Sequence, residues 1–210
     1  MCADLKVHDL IEIDASSFDG AASPCWVRQS LSLCPWVVVR RVQAPAGMIA
    51  VGVRGDVRAK RWGGFLEINR IRGVARPEAL LVVLRSAAAA HQARTPALRT
   101  LAQVVEQWKD LPLLWGPTGS VGLELASHSP VTTQESDLDI VIRAPGRWSA
   151  EEALAMWNRV SDLRPKVDAR IETSACGFSL EEYSSQASSE LVLRYPEGSR
   201  FGRDPWADGR

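Results

Sequence analysis

Two aspartates separated by one residue, Asp137 and Asp139, form the most suggestive chemical pattern in the 210-residue sequence. In a β-strand, residues i and i+2 project to the same side, with Cα atoms roughly 6.5–7 Å apart. Two carboxylates at this separation repel each other at neutral pH unless a cation or a proton intervenes, and Mg²⁺ is typically held by one or two carboxylates plus substrate phosphates. The exposed polar face of an edge strand is the more common explanation of such a pair taken alone.

A second pattern lies upstream, where an apolar segment ends in Gly119 and Ser120. Glycine lets backbone N–H groups approach a phosphate, and the N-terminus of a following helix favours negative charge. An ordinary strand-to-helix turn explains Gly119 equally well, and an ordinary helix cap explains Ser120. The two patterns together favour a phosphate-binding turn beside a metal site.

The elements that must position these residues follow from hydrophobic periodicity. The C-terminal region reads as strand, Gly-Ser turn, helix, acidic strand, helix and acidic strand. The corresponding ranges are 113–115, 116–120, 121–126, 136–143, 149–163 and 166–173. The second helix is expected to begin with a capping box, Ser149 with Glu152.

The last acidic strand places Asp168, Arg170 and Glu172 on one face. Asp168 is the best third metal ligand, and Arg170 is a candidate phosphate contact because a guanidinium makes bidentate bonds. Glu172 is a weaker ligand candidate, with a surface salt bridge to Arg170 or a neighbour as the alternative. The sequence does not reveal whether Glu172 or Arg170 contacts the site, or whether His8 and Asp9 approach it.

The N-terminal region has a different texture, with β-branched runs interrupted by glycine and proline up to about residue 75. Helices are expected from Pro77 to about residue 91 and from Pro96 to about residue 108. We therefore expect a β-rich basic N-terminal domain over residues 1–76 and a catalytic domain over residues 77–210.

The amino-acid composition and charge limit the classes of protein to which the chain can belong. The formal net charge is zero, but residues 40–76 carry nine basic side chains against Asp56 and Glu67, so this stretch would attract an anion. A solvated basic face without a dedicated partner is the alternative. The basic residues are Arg40, Arg41, Arg54, Arg58, Lys60, Arg61, Arg70, Arg72 and Arg76.

No segment has the apolar length of a membrane span or the pattern of a signal peptide, so a cytoplasmic location without membrane binding is expected. Four scattered cysteines and three histidines indicate neither a disulfide framework nor a structural zinc. Zero net charge and little aromatic interleaving argue against a nucleic-acid partner.

Gly119-Ser120, Asp137-Leu138-Asp139 and Asp168 resemble the pattern of the nucleotidyltransferase superfamily, which includes DNA polymerase β. The 16 residues between Ser120 and Asp137 exceed the usual spacing and favour one branch. Residues 113–183 resemble the phosphoribosyl-dephospho-CoA transferases of malonate decarboxylase, also called holo-acyl-carrier-protein synthases. The stretches that carry this resemblance are 119–125, 131–132, 136–139, 167–173 and 177–183.

The resemblance implies an α+β fold: a C-terminal polymerase-β-like nucleotidyltransferase domain, with a mixed sheet and helices, plus a smaller β-rich N-terminal domain. It implies transfer of the prosthetic group from triphosphoribosyl-dephospho-CoA to a serine of the malonate decarboxylase acyl-carrier protein, with release of pyrophosphate. Two Mg²⁺ ions would be bound by Asp137, Asp139 and Asp168. Gly119 and Ser120 would hold the outer phosphates.

The basic stretch then has two possible purposes, steering of an acidic carrier protein or binding of the anionic donor. Other readings stay open. The chain is alternatively another nucleotidyltransferase of the superfamily, using an NTP or serving citrate lyase, or a non-catalytic regulatory module. Oligomeric state, donor-pocket residues, hinge geometry and Mg²⁺ against Mn²⁺ preference are beyond the sequence.

Overall fold

Two β-sheets, one from each half of the chain, organise the structure. The computed structural model describes residues 4–18, 23–56, 59–185 and 190–207. Across these residues the chain is mixed α+β, with seven α-helices and two short 3₁₀ turns, Ala15–Phe18 and Ile68–Arg70. The α+β class expected from the sequence is therefore confirmed.

The first sheet is antiparallel, with strand order β4-β3-β2-β1-β5. Its strands are β1 (Leu10–Ile13), β2 (Trp36–Val39), β3 (Met48–Arg54), β4 (Arg61–Glu67) and β5 (Ile71–Ala75). Alternation gives the sheet two faces. Helix α1 (Cys25–Leu33) covers one of them, where Val27 and Leu31 join Ile11 and Val37 in a small buried core.

Three helices connect the sheets: α2 (Pro77–Ser86), α3 (Ala89–Gln92) and α4 (Pro96–Gln107). Proline occupies the start of α2 and α4, and the Thr95 side chain caps α4 by accepting from the Leu98 amide at 3.5 Å. The helix predicted from Pro77 to about residue 91 is thus broken after Ser86, and the one predicted from Pro96 is confirmed.

The second sheet is mixed, with strand order β11-β10-β9-β8-β7-β6. Strands β7 and β8 are parallel and all other pairs are antiparallel. Its elements are β6 (Leu114–Pro117), α5 (Gly119–Ser127), β7 (Leu138–Arg143), α6 (Ala150–Asn158), β8 (Val167–Glu172), β9 (Gly177–Ser179), α7 (Leu180–Ser185), β10 (Leu191–Tyr195) and β11 (Gly198–Gly202).

The predicted alternation of strand and helix from residue 113 to 173 is confirmed, with shifted boundaries. The capping box of Ser149 and Glu152 is present, but α6 ends at Asn158 rather than near residue 163. Residues 159–162 form turns, and Pro165 disfavours a helical conformation at the residue before it. Helices α1 and α7 and strands β9 to β11 were missed by the sequence analysis.

The two halves share an apolar contact. Leu10 is fully buried and belongs to the core of the second half, and Trp36, Val38 and Ala75 pack against that core. This contact holds the first sheet against the second and creates a cleft between them. No helix within the described ranges is long and apolar enough to cross a membrane.

Candidate active site

Strands β7 and β8 bring the acidic residues together. Asp139 on β7 is in register with Asp168 on β8, and neighbouring strands lie roughly 4.8 Å apart. Asp137 immediately precedes β7. The pKa of Asp139 is raised, first by burial and then by the charges of Asp137 and Asp168. The three carboxylates therefore influence one another, and a proton or a cation would relieve their repulsion.

Asp168 is already neutralised within the protein. Arg170, two residues along β8, holds both oxygens of this carboxylate, with Nε 3.0 Å from Oδ1 and Nη2 3.1 Å from Oδ2. Within the part of the chain that the structure describes, no three acidic, histidine or cysteine side chains are grouped as a ready metal-binding set. Arg170 would have to leave Asp168 before the third carboxylate becomes available.

Gly119 is the point where the phosphate-binding turn meets the carboxylates. Its φ of +60° is in the left-handed region, and a Cβ added there would lie 2.9 Å from Asp139 Cγ and closer still to Oδ2. The Thr118 amide donates to the Asp139 carbonyl at 2.9 Å, which ties the turn to β7. Only a residue without a side chain allows this close approach.

The N-cap residue and the first turn of α5 carry buried hydroxyl groups. The hydroxyls of Thr118 and Ser120 are buried and have no hydrogen-bond partner among the described residues. The amides of a helix's first turn also lack intrahelical acceptors, and the helix dipole favours an anion there. The sequence-predicted Gly119-Ser120 turn is therefore the start of α5, and its unused donors are suited to a phosphate.

A cleft of about 900 Å³ opens between the two sheets in front of these groups. Gly119, Asp139 and Asp168 lie in its wall, whereas Asp137 does not line it. Basic side chains outnumber acidic ones. The arginines are Arg40, Arg41, Arg54, Arg61, Arg170 and Arg194, and the acids are Asp139, Asp168, Glu172 and Glu197.

Most of the basic stretch predicted from the sequence is now accounted for. Four of its arginines line the cleft, which favours binding of an anionic substrate over a role restricted to the outer surface. Three other side chains pair with acids elsewhere: Lys60 with Asp56, Arg70 with Glu67, and Arg72 with Asp14. Arg58 lies outside the described residues.

Glu172 lines the cleft and links the two halves of the chain. Its carboxylate pairs with Arg41 and lies 3.1 Å from His8 Nε2. Burial, together with the charges of Arg143 and Arg41, lowers the pKa of His8 to about 4, so His8 is neutral at pH 7. The suggested salt bridge of Glu172 to a neighbour is thus present, but the partner is Arg41 rather than Arg170.

Asp9 has a structural position behind the cleft. It is fully buried and lies 3.1 Å from Arg143 at the end of β7, and Arg143 also bonds Glu78 at 2.9 Å. Asp9 therefore links the first sheet to β7. His128, at the opposite end of α5 from Gly119, is exposed.

The sequence analysis missed Glu124, which fixes the loop that leads to Asp137. Glu124 is fully buried on α5, pairs with Arg94, and accepts from the Val131 and Thr132 amides at 2.9 and 2.7 Å. Burial opposes its ionisation, but the hydrogen bonds from Thr132 and Arg94 prevail and lower its pKa. Its signal was a glutamate between two leucines, Leu123 and Leu125, in an apolar helix.

An arginine-lined cleft with carboxylates beside a helix N-terminus is typical of enzymes that act on phosphorylated substrates. The family model described as "Phosphoribosyl-dephospho-CoA transferase MdcG C-terminal domain" matches residues 81–205, and the corresponding N-terminal domain model matches residues 6–77. The chain belongs to the phosphoribosyl-dephospho-CoA transferase family.

Relatives with that name cover nearly the whole chain. One from Pseudomonas putida is 35% identical over 203 residues, which is 96% of this chain and 95% of the relative. One from Klebsiella pneumoniae is 33% identical over 210 residues, 98% of each. One from Azotobacter vinelandii is 34% identical over 205 residues, 96% and 94%. No solved structure matches the chain significantly.

Proposed function

We propose that this chain transfers the phosphoribosyl-dephospho-CoA group from triphosphoribosyl-dephospho-CoA to a serine of the malonate decarboxylase acyl-carrier protein. The observation that carries the proposal is the position of Asp139, in register with Asp168 and against Gly119, in the arginine-lined cleft of a chain from this family. The serine Oγ forms a bond to the innermost phosphorus of the triphosphate. The bond from that phosphorus to pyrophosphate breaks, and the hydroxyl proton passes to solvent.

The N-terminal turn of α5 would hold the departing phosphates. Its first-turn amides, which have no acceptor within the helix, and the buried hydroxyl of Ser120, without a partner in the described part of the chain, supply donors, and Gly119 keeps the surface open enough for an oxygen to approach. Arg170 would exchange its carboxylate partner, Asp168, for a phosphate of the incoming donor. This exchange couples donor binding to the release of Asp168.

The carboxylates fit a divalent ion. Asp137 and Asp139 supply the one or two carboxylates that a Mg²⁺ site uses beside substrate phosphates, and Asp168 joins them once Arg170 leaves. Burial and then the charges of Asp137 and Asp168 raise the pKa of Asp139, and a bound cation would offset the repulsion from those two carboxylates. Bound Mg²⁺ would lower the pKa of the acceptor serine and neutralise part of the triphosphate charge. A polymerase-β-like nucleotidyltransferase fold with two ions is part of this proposal.

The test is mass spectrometry of the carrier protein after incubation with the chain, the donor and Mg²⁺. We expect one covalent adduct on one serine with the wild type, and a loss of about 10²-fold or more in rate with Asp139→Asn, comparable to removal of an electrostatic catalytic group. Asp110→Asn, at an exposed carboxylate paired with Arg159, is the matched control and should keep full activity. Full activity of folded Asp139→Asn contradicts the proposal.

Two further measurements separate the alternatives. Replacing the donor with NTPs tests whether the chain is another kind of nucleotidyltransferase. An adduct derived from an NTP would show that the NTP, and not triphosphoribosyl-dephospho-CoA, is the donor. Mg²⁺ should raise the thermal unfolding midpoint of the wild type more than that of Asp139→Asn, because an ion that binds only the folded state stabilises it. An equal shift in both proteins contradicts metal binding at Asp139.

A further inference from the structure

The wall of the cleft opposite the carboxylates contains an arginine seated on two glycines. Gly52 on β3 and Gly63 on β4 are directly paired in the sheet register. Arg40 extends across both. A Cβ added to Gly63 would lie 2.6 Å from Arg40 Cζ and closer still to Nη1, and one added to Gly52 would lie 3.3 Å from Arg40 Cδ. The paired glycines thus form a shallow seat that the Arg40 side chain occupies.

Arg40 brings an uncompensated charge into the cleft. It lines the cavity and is exposed, and within the described ranges it has no acidic partner. Arg61, on the same face of β4 as Gly63, lines the same wall. By contrast, Arg41 pairs with Glu172 and Arg170 with Asp168, so those two charges are satisfied within the protein. Arg40 therefore offers a planar set of donors to a ligand.

This position belongs to the first sheet, whereas the carboxylates and helix α5 belong to the second half of the chain. Arg54 and Arg61 are paired across β3 and β4 and line the same cleft as Asp139. The Gly52–Gly63 pair is two residues further along the same strands, which is roughly 6.5–7 Å. The cleft therefore offers two anion positions, one at the N-terminus of α5 and one at Arg40.

We propose that Arg40, held on Gly52 and Gly63 and assisted by Arg61, binds the diphosphate within the dephospho-CoA part of the donor. This inference rests on the proposed function, whose donor carries two separate anionic groups, a triphosphate on the transferred ribose and a diphosphate between adenosine and pantetheine. The triphosphate takes the α5 position. A planar guanidinium matches the two oxygens of a diphosphate with parallel hydrogen bonds.

The experiment is isothermal titration of the full chain with dephospho-CoA, which has the diphosphate and lacks the triphosphate. Arg40→Gln should weaken binding about 10-fold or more, the usual effect of losing a charge-assisted hydrogen bond. Gly63→Ala should give a similar loss because the methyl group displaces Arg40. Arg72→Gln removes an exposed arginine that pairs with Asp14 outside the cleft and should leave the affinity unchanged.

Equal affinities of the wild type and Arg40→Gln overturn the inference, as does an absence of dephospho-CoA binding to the wild type. Thermal unfolding shows whether Gly63→Ala is folded. If Gly63→Ala is not folded, the affinity of Arg40→Gln alone tests the inference. If the wild type modifies the carrier protein but Arg40→Gln binds dephospho-CoA as tightly as the wild type, this inference is refuted and the proposed function is not. Weakened dephospho-CoA binding without carrier modification refutes the proposed reaction and leaves the diphosphate site.

Discussion

Replacing Gly119 by alanine tests the closest contact in the site. The substitution places a Cβ in left-handed backbone, which costs roughly 1–2 kcal/mol, and forces the Asp139 side chain to move, an overpacking cost of roughly 1–3 kcal/mol. Each kcal/mol lowers the unfolding midpoint of a chain of this size by about 2–4 °C. A displaced Asp139 should reduce transfer by about 10²-fold, the effect of an error of about 1 Å in a catalytic group.

Two other glycines provide matched controls. Gly47 has φ +76° with nothing within 4 Å of an added Cβ, so Gly47→Ala bears the backbone cost alone. Gly146 has neither a positive φ nor a neighbour within 4 Å, so Gly146→Ala should be nearly neutral. Thermal unfolding ranks stability across the three variants, and the rate of carrier modification by mass spectrometry ranks activity. Only Gly119→Ala should lose transfer.

A double-mutant cycle separates the steric clash with the Asp139 side chain from the backbone strain at position 119. In an Asp139→Ala background the added Cβ at position 119 no longer meets the carboxylate, and the nearest remaining atom of residue 139 is its Cβ at 3.1 Å. Gly119→Ala should then cost little more than Gly47→Ala, so the two substitutions should be strongly coupled. Additive losses, or a Gly119→Ala protein with full activity and the unfolding midpoint of Gly47→Ala, would refute the reasoning.

Two further predictions concern how the stability of the chain depends on pH. Glu124→Gln removes the anion that pairs with Arg94 and should cost about 2–3 kcal/mol at pH 7. Because the pKa of Glu124 is lowered from 4.5, this stabilisation is present above pH 4.5 and is lost on further acidification, so urea unfolding should show the two proteins converging there. His8, with its pKa lowered from 6.5 to about 4, is neutral in the folded chain while the unfolded chain binds a proton, so stability should fall as pH decreases from 6.5 to about 4. His8→Gln should flatten that slope, and an unchanged slope would contradict the pKa.

The order of strands and helices in the second half could be predicted because several of these elements have a local sequence signal. Proline and threonine mark the start of α4, the capping box of Ser149 and Glu152 starts α6, and strict alternation marks β8. Helix α1 was missed because it begins after Pro24 without a side-chain cap. Strand β11 is largely exposed at the sheet edge, so its sequence has little hydrophobic periodicity. Strand β10 does alternate, with Leu191, Leu193 and Tyr195 in contact with the core, and the sequence analysis did not use this signal.

The sequence predicted the candidate site only where the site depends on the order of neighbouring strands and helices along the chain. The pairing of Asp139 with Asp168 follows from a strand-helix-strand unit with parallel strands, which the alternation of elements already favoured. The pairing of Arg170 with Asp168 is local, since the alternation of β8 already placed both side chains on one face, but nothing local indicated that Glu172 would pair with Arg41 from the first half of the chain. Partners of this kind are chosen by packing between segments more than 100 residues apart.

The placement of the basic stretch shows how a distant apolar contact determines electrostatics. Leu10 and Val38 pack against the core of the second half, and this contact turns one face of the first sheet toward β7 and β8. Arg40 is two residues beyond Val38 on the same strand side, so it faces the cleft because Val38 is drawn into the core. A polar substitution at Val38 should therefore weaken binding of an anionic donor without changing any charge in the cleft.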